Sequence, residues 1–236
     1  MSSSRASFAA STRPGPPPGT RFRGIVAGAV ILAACAGIVL SICPLPPHFD
    51  LGPHRAVGTI LGEETLKLRD SSSRLVVISR DTAEFQAPAS AAQLDGFQRA
   101  LRKAGVRIAT THVLKVDPLR VVGVPPGDFF ELLRKSSDND VIVSFLGPPT
   151  LGADQLAKLG NKRSHVVALC SGSMPQQVDL RKLFEQKLLE VAVISRPDAP
   201  RAASGPGGTQ GDFDRMFKLI TAANLAELSP LTEARP

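Results

Sequence analysis

The sequence predicts an α/β domain with a doubly wound parallel sheet, carried behind an N-terminal apolar segment. Three observations predict it. Five short runs rich in Val and Ile recur between residues 74 and 195, several of them continuous in apolar residues, as strands covered on both faces are. Stretches of helical period separate those runs, and each connection is long enough for a crossover. A charge-free run from Gly24 to Ile42 precedes them, behind a tail with four arginines and no acid.

A chain of 236 residues has room for one anchor and one domain with its own core. Of the net charge of +7, Arg5, Arg13, Arg21 and Arg23 supply +4, which leaves +3 for everything after them. Basic residues placed before an apolar run orient a membrane segment. A nucleic-acid surface carries its charge on a folded face, usually with aromatics for stacking, and this chain has no Trp and no Tyr. Nucleic acid is therefore set aside as a partner.

The N-terminal part divides by composition. Residues 1–23, with "STRPGPPPGTR", are expected to form a disordered basic tail. Residues 24–43 form the candidate transmembrane anchor, since roughly twenty apolar residues at ~1.5 Å each cover a bilayer core. Leu32-Ala33-Ala34-Cys35 also resembles a bacterial lipobox, which makes lipidation of Cys35 an alternative, and cleavage as a plain signal is a third. The apolar run continues from Ala36 to Cys43, and this length favours a retained span. The positive-inside rule then places the tail in the cytoplasm and the main domain outside it, as a single-pass periplasmic protein. Residues 44–54 read as a Pro-rich spacer, 55–228 as the α/β lobe and 229–236 as a tail.

Within the lobe, "AVGTILGEETLKLR" reads as a leading helix before the first strand, "RLVVISR" (74–80). "SAAQLDGFQRALRKAG" follows, with Ser90 and Gln93 in capping-box spacing, Leu94, Phe97 and Leu101 on one face, and Gly105 as its stop. "VRIATTHVL" (106–114) is the second strand, and "GDFFELLRKS" a helix with Asp128 and Glu131 again in capping-box spacing. "DVIVSFL" (140–146) is the third strand, "PTLGADQLAKLG" a short helix, and "SHVVALC" (164–170) the fourth strand. "MPQQVDLRKLFEQK" reads as one helix with Pro175 in its first turn, "LLEVAVIS" (188–195) as the fifth strand, and "RPDAPRAASGPGGTQGD" (196–212) as a long loop. "DFDRMFKLITAANLAEL" reads as a closing helix with Phe213, Met216, Phe217 and Ile220 inward.

Five strands in this alternation predict the order 2-1-3-4-5, with helices on both faces. Ligand crevices in such sheets open beyond the carboxyl ends of the strands, where successive crossovers depart in opposite directions. That point lies between the first and third strands and brings "SRDT" (79–82) beside "GPPT" (147–150). The candidate ligand residues are Arg80 as a cationic fork, Asp81 as an acceptor, Gly147, and the "SGSMP" loop with Ser171 and Ser173 offering N–H groups.

These stretches resemble a known family. "AVGTILGEETLKLRDSSSRLVVISRD" with "LDGFQRALRKAGV", and later "NDVIVSFLGPP" and "LLEVAVISRP", are similar to one lobe of type 1 periplasmic binding proteins and the related repressor effector domains. The resemblance covers about residues 55 to 197. It implies a lobe that traps sugars, amino acids or similar solutes against a second lobe. Here the chain has room for one, and a homodimer would restore a two-sided cleft.

No catalytic pattern competes with this reading. "SGPGGTQG" lacks the GK[ST] of a phosphate loop, and "CSGS" is not GxSxG. His48, His54, His112 and His165 are scattered, and Cys170 stands apart from Cys35 and Cys43, so no metal or cofactor is expected. Three functions stay open. They are a membrane-anchored, non-enzymatic solute-binding or sensory lobe, a ligand-free interaction module docked onto a membrane complex, and a hydrolase or transferase with a nucleophile near Cys170 or Ser171.

Overall fold

The computed structural model describes residues 29–34, 50–83, 87–115, 123–196, 199 and 208–228. The predicted basic tail, the C-terminal tail, and most of the spacer and of the Gly/Pro-rich stretch after Arg196 lie outside the described residues. The chain divides into two units, Met1–Phe49 and Asp50–Pro236. In the first, residues 29–34 are helical and exposed; the remainder of the predicted span lies outside the described residues. Among the described residues no helix is long and apolar enough to cross a membrane.

The second unit is a three-layer α/β domain. In chain order it comprises α1 (Gly52–Leu68), β1 (Leu75–Arg80), α2 (Pro88–Lys103), β2 (Thr110–Leu114), α3 (Pro126–Lys135), β3 (Val141–Ser144) and α4 (Ala153–Leu159). It continues with β4 (His165–Cys170), α5 (Met174–Gln177), α6 (Leu180–Glu185), β5 (Val191–Ser195), α7 (Thr209–Met216) and β6 (Phe217–Thr221), and closes on a 3-10 turn at Ala222–Glu227. The sheet order is β2-β1-β3-β4-β5-β6. The first five strands are parallel, and β6 runs antiparallel to β5 with Val193 opposite Leu219.

Successive side chains of a strand point to opposite faces, and this pleat sorts the core into two halves. Leu75, Val77, Val141, Val143, Val167 and Val191 pack against Ala56, Val57, Leu61, Phe97, Leu101 and Phe213 of α1, α2 and α7. Val76, Ile78, Ile142, Val166, Ala168 and Ala192 pack against Phe129, Leu133, Leu159, Leu180 and Leu183 of α3, α4 and α6. Strands β1, β3 and β4 are buried almost throughout, which their unbroken apolar runs predict. By contrast β2 is exposed, because it forms one edge of the sheet; its regular part is limited to the last five residues of the predicted run.

The prediction of five strands needs correction to six. The segment read as a closing helix is helical only to Met216 and then becomes β6. A helix would gather Phe217 and Ile220 on one side, whereas the strand sends Phe217 into one half-core and Ile220 into the other. The open edge of β5 demands that arrangement, since both faces of the sheet need cover there and its backbone needs a pairing partner.

Helix starts also differ from the predicted capping boxes. Helices α2 and α3 begin at Pro88 and Pro126, two residues before Ser90 and Asp128, with no side-chain cap at either. Proline presets the helical φ and lacks the N–H that a first turn leaves unpaired, so it starts the helix by itself. Ser90 is thereby free of a capping role, and Gln93 reaches His54, its amide 3.2 Å from the imidazole Nδ1. The single helix expected over 174–187 is two, α5 and α6, with the Asp179 carboxylate capping the second by accepting from the Lys182 N–H at 3.0 Å.

Helices α1 and α2 touch at backbone distance. A Cβ built on Gly58 would lie 1.8 Å from the Gln93 carbonyl oxygen, and one on Gly96 would lie 2.1 Å from that of Arg55. Small residues let the helix axes approach this closely, and together the two helices cover β1 on the face where α2 carries the site described next.

Candidate functional site

The crossovers place a crevice where the sequence predicts one. The connection from β1 to β2 runs through α2 on one face, and that from β3 to β4 through α4 on the other, so β1 and β3 flank the switch point. A cavity of about 220 Å³ opens there, at the carboxyl ends of both strands. Ser79, Arg80 and Thr82 come from β1 and the turn after it, Ser90, Leu94, Asp95 and Gln98 from α2, and Phe145 and Leu146 from the end of β3.

The floor is held rigidly. The Phe145 N–H donates to the Ile78 carbonyl at 2.9 Å, which extends the β1–β3 ladder by one residue, and Phe145 meets Phe97 edge to face at 5.5 Å between centroids. Arg80 closes β1, and the next N–H, that of Asp81, donates to the Leu114 carbonyl at 2.9 Å and ties the turn to β2. The Asp81 carboxylate accepts from the Ala83 N–H at 2.9 Å, which directs it along its own turn.

The charges in the crevice are unequal. Asp95 is bound by Arg99 at 2.8 Å, one helical turn on, and by Arg55 of α1 at 3.5 Å. Arg80 has no ion pair or side-chain hydrogen bond among the described residues, and neither do Ser79, Thr82, Ser90 and Gln98. Ser79 is only 7% exposed, yet its hydroxyl is not sealed off from solvent. A set of uncommitted donors and acceptors around an apolar floor is the composition that holds a small polar solute.

The residues named from sequence fall into two groups. Arg80 lines the cavity, with Asp81 beside it but outside the lining. Gly147, at φ 102°, lies against Met174: a Cβ there would be 2.2 Å from the methionine sulfur. The structure thus brings the Gly147 turn together with the Ser171–Met174 loop. In that loop Ser171 and Ser173 are exposed, the Gly172 N–H donates to the Ser195 hydroxyl at 3.2 Å, and the Ser173 hydroxyl accepts from Gln177 at 3.1 Å. The α2 contribution escaped the sequence reading, although Ser90, Leu94 and Gln98 at i, i+4 and i+8 share one helical face.

A second cavity, about 340 Å³, lies on the opposite face between β2 and α3, lined by Ile78, His112, Leu114, Val124, Asp128, Glu131, Leu132 and Lys135. It is larger, but Glu131 is already held by Arg134 at 2.9 Å and by Lys135 at 3.8 Å, and the strands contribute mainly apolar side chains. There His112 and Asp128 are the side chains without a partner among the described residues, whereas the smaller crevice gathers five such groups at the switch point.

The places considered for catalysis are differently disposed. Cys170 is fully buried, and burial raises its thiol pKa far above the ordinary value, which disfavours the thiolate a nucleophile needs. His165 is held by Glu190 at 2.8 Å and His54 by Gln93. Among the described residues no group of three or more His, Cys, Asp or Glu side chains could hold a metal ion.

No family model matches the chain, and no curated protein does. Solved structures similar to it include a periplasmic ribose ABC transporter protein from Conexibacter woesei, at 11% identity and a TM-score of 0.43 over 60% of this chain and 45% of that one. The periplasmic component of an ABC-type sugar transport system from Hahella chejuensis matches at 19% identity and 0.44, over 61% of this chain and 50% of that one. A carbohydrate transporter solute binding protein from Agrobacterium radiobacter, in complex with D-arabinose, matches at 12% identity and 0.46, over 75% and 61%. The chain thus spans about half to three-fifths of their length. These structures are of the group that the sequence resembles, and the fold assignment itself rests on the strand order and crossovers described above.

Proposed function

We propose that the chain is a non-enzymatic solute-binding or sensory lobe, held outside the cytoplasm by its N-terminal apolar segment. One observation carries the reading: at the switch point between β1 and β3, five polar side chains line a crevice without a protein partner among the described residues. Thr82 is exposed, Arg80, Ser90 and Gln98 are half-buried, and the Ser79 hydroxyl is not sealed off from solvent. These groups therefore face solvent rather than protein, and grouped around an apolar floor they are open to a polar solute. At about 220 Å³ the crevice lies below the roughly 300–1,000 Å³ of pockets for drug-sized molecules, which restricts the solute to about one sugar ring. Arg80 contacts the solute, Asp81 holds the adjoining turn, and the Gly147 and Ser171–Ser173 loops form the outer rim. A second copy of the chain would supply the facing wall.

Calorimetric melting of the full-length chain in detergent micelles, with pentoses, hexoses and their acids at millimolar concentration, tests the reading. A solute at a hundred times its Kd adds about 2.7 kcal/mol, which for a domain of this size raises Tm by roughly 5–10 °C. An unmoved Tm across the panel overturns solute binding and leaves the interaction module as the better account.

A further inference from the structure

Resting on the solute-binding reading, the charge balance of the crevice narrows the class of solute. Its lining holds two charged side chains, Arg80 and Asp95. Asp95 is shared between two guanidinium groups, with Arg99 at 2.8 Å and Arg55 at 3.5 Å, so it is more than balanced before any ligand arrives. Arg80 has no counter-charge among the described residues, and the nearest carboxylate in sequence, that of Asp81, is turned to the Ala83 N–H. The lining therefore holds one carboxylate already paired by two guanidinium groups outside it, and one cation, Arg80, without a counter-charge among the described residues.

We propose that the crevice binds a small hydroxylated monoanion, a sugar acid rather than a neutral sugar, with the Arg80 guanidinium holding the carboxylate. A planar fork of donors matches a carboxylate in two-point geometry and stays charged at any working pH. The Ser79, Thr82 and Ser90 hydroxyls and the Gln98 amide take the ligand's hydroxyl groups, since each can donate and accept. The Phe145 and Leu94 surfaces receive the apolar side of the ring. A neutral sugar satisfies the hydroxyls but leaves the half-buried cation uncompensated. A phosphate dianion brings twice the charge that one free guanidinium balances.

The test is competition calorimetry on the full-length chain with matched probes: D-glucuronate against D-glucose, D-galacturonate against D-galactose, and glucose 6-phosphate. At least one uronate is expected to bind roughly tenfold or more tightly than its neutral parent, as a charge-assisted hydrogen-bond pair implies. Arg80→Gln should erase that preference while leaving Tm without ligand unchanged, and Arg80→Lys should restore part of it. Equal or better binding of the neutral sugars, or tighter binding of glucose 6-phosphate than of glucuronate, overturns the sugar-acid proposal and leaves solute binding standing. If no probe binds, both fall. A uronate preference that survives Arg80→Gln overturns the role given to Arg80.

Discussion

Arg74 and Asp140 lock the bottom of the sheet together. The Arg74 guanidinium donates to both carboxylate oxygens of Asp140, at 3.3 and 2.5 Å, and the same carboxylate accepts the Arg74 and Ser137 backbone N–H groups at 3.2 and 2.8 Å. One side chain thus joins the residue before β1 to the turn before β3, at the end of the sheet opposite the crevice. Its carboxylate is 2% exposed while the arginine stays in solvent, so one partner bears nearly all the desolvation. Burial by itself would raise the Asp140 pKa; the Arg74 bonds and the Ser137 N–H outweigh it and bring the value from 3.8 to about 2.

That shift sets a pH dependence. A carboxyl whose folded pKa is depressed contributes stability above its unfolded pKa and loses it as pH falls through the folded one. Asp140 should therefore contribute up to about 2 kcal/mol that is constant above pH 4 and is lost as pH falls from 3.8 towards 2. Urea midpoints measured from pH 6 to 2 should show the loss, and Asp140→Asn should flatten that part of the curve while lowering stability at neutral pH.

The α1–α2 contact predicts a contrast between glycines. Gly58→Ala and Gly96→Ala each drive a methyl into a backbone carbonyl, at 1.8 and 2.1 Å, where no rotamer can give way. Each should cost more than about 3 kcal/mol or prevent folding. Gly127→Ala, in the first turn of α3 with open space around it, should be neutral or stabilise by a few tenths, up to about 1 kcal/mol. Similar losses for all three in denaturant titrations would contradict the packing.

Replacing Arg80 and Asp81 together by Ala should abolish ligand-induced stabilisation and leave the unliganded Tm within a few degrees, because neither side chain belongs to the core. Calorimetric melting with and without the solute checks this. A double variant that cannot fold would assign the two residues to stabilising the turn after β1.

Cys170 should resist thiol reagents in the native state. In a Cys35→Ala, Cys43→Ala background, modification by a disulfide reagent should wait for unfolding, since the thiol is buried and its pKa raised. Rapid labelling at neutral pH would revive a nucleophilic role.

For the N-terminal segment, a retained span predicts that the full-length chain stays in the membrane pellet after alkaline extraction, with an N-terminus before Arg21. A soluble mature form, or an acylated chain starting at Cys35, would replace that reading.

The alternation of Val-rich runs with amphipathic stretches was enough to establish five of the six strands, their order and the location of the crevice, because burial on two faces leaves a continuous apolar signature in each central strand. The place of Arg80 at the crevice was legible for the same reason, since topology places a residue at the carboxyl end of a central strand, whereas Asp81, Gly147, Ser171 and Ser173 lie outside its lining. Other features depended on partners distant in sequence. Lys218 to Thr221 has a pattern compatible with helix or strand, and the open edge of β5 decided between them. Gly58 and Gly96 gain their meaning only when two helices separated by β1 meet at backbone distance. Ser90 and Gln98 face the crevice because α2 starts at Pro88 and its docking against α1 orients the face they share. Local periodicity determines which faces of a chain need burial, but the choice of what covers them is made by contacts that no window of sequence contains.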